Sequence, residues 1–244
     1  MNKLPPETRA MILNLLIDGM SMGSVSHAVG VSINTVTKLL AEAGATCAAY
    51  HDITVRNISL DQVAHTEIWS FRITGDKAKH TPTVNVWTRT TRDPNSQLIL
   101  TYDIAERPDD NGCDTMQSLK RRIAGPFHLI KNGCPPAEAT TAQTQLVSHE
   151  LETTAPASNA RNTTHAKSHN ASMGLHRFAQ LSKAQHRKLQ NHLHMLSLFF
   201  VHHNFVRADP VQKITPAMAA GVTDQQRDIT WILDLIDAET PRPT

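Results

Sequence analysis

Ser32, Asn34, Thr35, Thr37 and Lys38 fall within the seven residues SINTVTK and together offer hydroxyl, amide and ammonium groups. On one face of a helix such groups can bond to base edges or phosphates in a major groove, so the chemistry they suggest is recognition of double-stranded DNA. Three elements would have to position them. Val25 and Val29 lie four apart on a short helix, Gly30 can take the left-handed conformation that ends it, and Ser32 can cap the next. Val36, Leu39 and Leu40 then face inward, and Ser26, four residues before the glycine, is small enough for two crossing helices to approach. Met11, Ile12, Leu15 and Leu16 supply the third helix. Ser21 to Leu40 therefore reads as a helix-turn-helix, with a helical hairpin bearing a polar face as the plainer alternative.

The net charge of +2 is too small to argue for nucleic acid, but its distribution is uneven. From Thr153 to Ala208 there is no Asp or Glu, while Arg161, Lys167, Arg177, Lys183, Arg187, Lys188 and Arg207 all lie inside. A positive face is expected there, with Arg177, Lys183, Arg187 and Lys188 as further DNA-contacting candidates. His192, His194, His202 and His203 share a helix with Leu189, Leu193, Leu196 and Phe200, and read as surface and boundary residues rather than metal ligands. Cys47, Cys113 and Cys134 are too far apart for a zinc knuckle and odd in number, which suits a reducing compartment. No run of roughly 18 apolar residues and no signal sequence is present, so a cytoplasmic location without membrane contact is expected.

The hydrophobic period changes after the helical region. The helical unit is expected to end near Gly44, giving a helix-turn-helix domain over 1–46; Ala45 to Ser59 reads as a connection, with a short helix there as the alternative, and the remaining elements form a larger domain over 60–237. Glu67 to Thr74, Thr83 to Thr91 and Gln97 to Ile104 alternate as half-buried strands do, the last two joined by the turn Asp93-Pro94-Asn95-Ser96. Cys113 to Ala124 has a helical face of Met116, Leu119 and Ile123, and Phe127 to Ile130 reads as a short strand ending at Asn132-Gly133. Residues 134–164 are Ala- and Thr-rich and read as a loop or linker. A long helix follows Ser172, and a short one spans Asp228 to Ala238. The fold class expected is α/β: an N-terminal helix-turn-helix, then a ribonuclease-H-like mixed-sheet domain with a long C-terminal helix.

Several blocks in order, VSINTVTKLL, EIWSF, NFVR and ITPAMAAGVTD, resemble the bacterial insertion-sequence transposases of the acidic-triad type, in particular the insertion-sequence-one-like group. The resemblance runs from Met1 to about Asp237. It implies an N-terminal domain that reads element ends, a nucleoid-associated location, and a ribonuclease-H-like domain that performs DNA transposition. Such recombination needs two Mg²⁺ ions, about 3.5–4 Å apart, to neutralise the attacking and leaving oxygens, and carboxylates to hold them.

The three acidic positions that the resemblance implies are occupied here by Thr66, Asn132 and Lys167. A neutral ligand loses most of the attraction that draws Mg²⁺ from water. A lysine about 4 Å from the ion would be repelled by roughly 8 kcal/mol at an effective dielectric of about 20. Glu67, Asp61 and Asp103 are candidate replacements, but Glu67 follows Thr66 in a strand and so points to the opposite face. The expectation is a transposase-derived DNA-binding protein, a pseudoenzyme with no confident catalytic residue, no metal site and no cofactor. Lys167 itself either grips a phosphate in the old active site or is a solvated lysine on a basic loop. Three other readings stay open. One is an active, Mg²⁺-dependent transposase using displaced carboxylates. Another is a structural partner, as a homodimer through the helix from Leu175 to Phe205 or in association with an active relative. The last is the product of a decaying gene.

Overall fold

The computed structural model describes residues 4–73, 84–105, 113–131 and 185–239. The chain divides into two compact units, Met1–Arg56 with Gln180–Thr244, and Asn57–Ala179.

The first unit is helical. Helix α1 (Pro6–Ile17) begins with a proline, whose missing N–H costs nothing in the first turn, and buries Ile12, Leu13 and Leu16. Ser21 caps α2 (Met22–Val29), its hydroxyl accepting from the Ser24 amide at 3.1 Å. Gly30, at φ +72°, closes α2 in the left-handed conformation that a side chain would disfavour. Ser32 then caps α3 (Ile33–Thr54), accepting from the Thr35 amide at 3.1 Å. Val25 and Val36 are fully buried between these helices.

Gly44 is not the end of α3, as a helical glycine near an expected boundary suggested; the helix runs for 22 residues from Ile33 to Thr54, through the stretch expected to be a connection. The glycine is there because α5 (Gln185–Val201) crosses at this point. A Cβ on Gly44 would lie 2.4 Å from the Cβ and 2.5 Å from the Cα of His194. Helix α5 thus packs on α3 and belongs to the helical unit, not to the sheet-bearing one, where the boundaries 1–46 and 60–237 had placed it. It passes into a π-helical turn, His202–Val206, followed by the short α6 (Pro216–Ala219) and by α7 (Ile229–Glu239). Asp228 caps α7 by accepting from the Trp231 amide at 2.9 Å. Helix α7 packs on α1 and α3. Arg9 of α1 donates to both carboxylate oxygens of Asp237 at 2.9 Å, and the Tyr50 ring meets Phe205 and Trp231 edge-on at 5.2 and 4.8 Å.

The second unit carries a mixed four-stranded sheet of order β3-β2-β1-β4, built from β1 (Gln62–Ile73), β2 (Val84–Arg92), β3 (Ile99–Ala105) and β4 (His128–Lys131). The first three strands are antiparallel, and β4 returns parallel to β1 after helix α4 (Cys113–Lys120). The β2–β3 turn forms at Asp93-Pro94-Asn95-Ser96 because the Asp93 carboxylate accepts from the amides of Asn95 and Ser96 and from the Ser96 hydroxyl at 2.6–3.1 Å. Hydroxyl side chains of the sheet pair across strands: Ser70 with Thr88, and Thr91 with Thr101, each at 2.6 Å. Helix α4 packs on β3 and buries Leu119, while Ile123 bridges to Ile58. The first part of the long helix and residues 134–164 lie outside the described residues. None of the described helices is long and apolar enough to cross a membrane.

Candidate nucleic-acid interface

The α2–turn–α3 segment brings Ser32, Asn34, Thr35, Thr37 and Lys38 onto the first two turns of α3, turned away from the buried Val36, Leu39 and Leu40. Ser26 holds the turn itself: its hydroxyl donates to the Val31 carbonyl at 2.6 Å, and its carbonyl accepts from the Gly30 and Val31 amides. This is a tighter role than the small spacer expected at that position.

The five candidate side chains are not equivalent. The Ser32 and Thr35 hydroxyls lie 2.8 Å apart and are engaged in capping α3. Thr37 donates back to the Ile33 carbonyl at 2.9 Å and also contacts the Met22 sulfur at 3.6 Å. Lys38 approaches Glu42, one turn on, at 3.7 Å. Asn34 is exposed and its amide has no partner among the described residues.

A residue that the pattern missed lies beside it. Ile33 precedes Val36 and Leu40 by three and seven residues, which would put it on the buried stripe, yet it is 49% exposed. Its place next to the cap, in the first turn of the helix, was the available signal. Of the other basic candidates, Arg187 and Lys188 lie in α5, whereas Lys167, Arg177 and Lys183 lie outside the described residues.

In the sheet unit, Thr66 sits in the middle of β1, buried and opposite Thr90 of β2. On the other side of β1, Lys131 of β4 pairs with His65. Lys131 and His65 are the residues immediately before Asn132 and Thr66, and Asn132 itself lies outside the described residues. Two of the three candidate replacement carboxylates, Glu67 and Asp103, are engaged elsewhere. Glu67 Oε1 lies 3.3 Å from His65 Nε2, within hydrogen-bond distance, on the strand face opposite Thr66. Asp103 takes a two-pronged bond from Arg89 at 2.7 Å. In register, Glu67, Arg89 and Asp103 form a row across three strands with the cation in the middle. Asp61 is exposed, and its backbone carbonyl accepts from the His128 amide at 2.8 Å.

The histidines of α5 and of the π-helical turn that follows it differ from expectation in one respect. His192 is fully buried rather than at the surface, and burial pushes its imidazole down to about 4. His202 is also pushed down to about 4, first by burial and then by the Arg207 guanidinium, with Asp18 opposing. Burial lowers His194 as well. Helical period alone shows that these residues share a helix with leucines, not how deep each lies. No group of three or more His, Cys, Asp or Glu side chains placed to hold a metal ion occurs among the described residues.

The apolar side chains Met195, Leu196, Leu198, Phe199, Phe200 and Val201 are buried. The described part of the long helix therefore uses them inside the fold and does not present them as the dimer surface considered from sequence. No protein-family model matches the chain, and no curated protein matches it significantly.

Proposed function

We propose that this protein binds double-stranded DNA through α2, its turn and α3, and that it descends from an acidic-triad insertion-sequence transposase whose strand-transfer chemistry has been lost. The observation that carries the proposal is the turn. Gly30 in the left-handed conformation and Ser32 as the cap leave Ile33, Asn34 and Lys38 exposed at the start of a helix whose opposite face is buried. A DNA-reading helix-turn-helix uses this arrangement, with the N-terminal turns of the second helix entering the groove.

The lineage draws support from the order of three antiparallel strands, a helix, and a fourth strand parallel to the first, which is the order a ribonuclease-H-like core requires. The loss of chemistry draws support from Thr66 at the centre of β1, with Glu67 on the opposite face and Asp103 held by Arg89. The purified full chain is expected to enrich a defined sequence from a randomised 30-base-pair duplex pool against excess non-specific DNA. Supercoiled plasmid carrying that sequence should remain uncut in Mg²⁺ or Mn²⁺. A pool that stays random after repeated rounds overturns the DNA-binding proposal, and metal-dependent nicking that survives further purification overturns the loss of chemistry.

A further inference from the structure

We infer that the first turn of α3 reads an adenine–thymine step, Asn34 bonding the adenine edge and Ile33 covering the thymine methyl; this rests on the DNA-binding proposal above. Most polar groups on the exposed face of α3 already have partners within the protein. Ser32 and Thr35 are committed to the cap, Thr37 to the Ile33 carbonyl, and Lys38 lies beside Glu42. What is left at the tip is one carboxamide and one apolar side chain, the exposed Asn34 and the 49% exposed Ile33.

Each has a matching base. In the major groove adenine presents an acceptor, N7, beside a donor, its amino group, and a carboxamide offers the complementary donor and acceptor together. Guanine presents two acceptors and is best met by the paired donors of arginine or by lysine. No arginine occurs between Ser21 and Thr54, and the single lysine there, Lys38, has Glu42 beside it. Thymine carries a methyl group that cytosine lacks, and Ile33 is the apolar group available to cover it. Direct base contact also has to carry much of the binding in this segment. Residues 1–56 hold Lys3, Arg9, Lys38 and Arg56 against Glu7, Asp18, Glu42 and Asp52, four of each sign, and Arg9 is consumed by Asp237. Their own attraction to phosphates is accordingly weak.

The test uses the full chain and the duplex it enriches from the randomised pool. The enriched core should contain an A·T step. Replacing its adenine with 7-deazaadenine, which removes N7, should weaken binding about ten-fold, the equivalent of a good base contact. Replacing its thymine with deoxyuridine, which removes the methyl, should weaken it about four-fold. Asn34→Ala should abolish sensitivity to the first change alone, and Ile33→Ala to the second alone. Both residues are exposed, so circular dichroism should show both variants folded. An enriched core of G·C pairs only, or sensitivities unchanged in the variants, overturns the inference while DNA binding stands. A pool with no enriched sequence overturns both.

Discussion

Replacing Gly44 with alanine sets two effects of opposite sign against each other. Within α3 alone, alanine is favoured over glycine by about 1 kcal/mol, so the change should stabilise the helix. The crossing with α5 reverses this. The new Cβ would lie 2.4 Å from His194 Cβ, 2.5 Å from its Cα and 2.7 Å from its carbonyl oxygen. Carbon atoms pack at about 3.5–4.0 Å, so the helices must separate by roughly 1 Å, and a gap of that size forfeits a quarter to a half of each contact it opens. Two of the three obstructing atoms are backbone, so no rotamer change relieves them. With an overpacking cost of about 3 kcal/mol, the upper end of the usual range, the net destabilisation is about 2 kcal/mol. In a chain of this length that lowers the melting temperature by about 4–8 °C. Thermal melting followed at 222 nm measures it. Gly23→Ala is the control, because the nearest atom there is Ser21 Oγ at 3.9 Å, and that variant should melt no lower than the wild type. A Gly44→Ala protein as stable as the wild type would refute the close crossing of α3 and α5.

Three further outcomes are expected. His192 and His202 are held neutral in the fold at about 4, below the usual value of about 6.5. Their contribution is therefore complete above pH 6.5 and lost as pH falls toward 4, at on the order of 3 kcal/mol for one such group. The urea midpoint should fall over that window, with a shallower fall in His192→Gln, and a flat profile would count against the buried placement. Asp237→Ala leaves the Arg9 guanidinium, whose side chain is 6% exposed, without its two-pronged partner, and should cost about 1–3 kcal/mol in urea unfolding. Adding Arg9→Met to that variant should recover part of the loss, since an uncompensated buried charge is the main penalty. Asp93→Ala removes the acceptor for two amides and a hydroxyl in the β2–β3 turn and should cost about 1–3 kcal/mol by the same measurement, whereas Asp93→Asn should cost less.

What could be read from the sequence was local in range. The cap at Ser32, the left-handed Gly30 and the Asp93 turn depend on atoms within a few residues, and each was legible from residue type and spacing. The strands were legible too, as was the opposition of Glu67 to Thr66, since successive residues in a strand point to opposite faces, but β1 starts at Gln62, five residues before the expected Glu67, and burial along β3 does not alternate. The candidate interface was half legible: its polar groups were visible, but which of them are spent on the cap and on the Ile33 carbonyl, and that Ile33 itself is exposed, is decided by the folded geometry of the helix start.

Partners distant in the chain were decided by tertiary structure. A glycine inside a helical pattern reads the same whether it ends the helix or admits another one, and only the crossing of α5 shows that Gly44 does the second. Amphipathic period tells that α5 and α7 have an apolar face without telling what covers it. Packing on α3 and α1 drew both into one unit with the N-terminus, joined Arg9 to Asp237 across the length of the chain, and carried His192 into the core. The physical reason is one of range: capping and alternation are set by hydrogen bonds between near neighbours, whereas burial depends on which surfaces meet after the chain has folded back on itself.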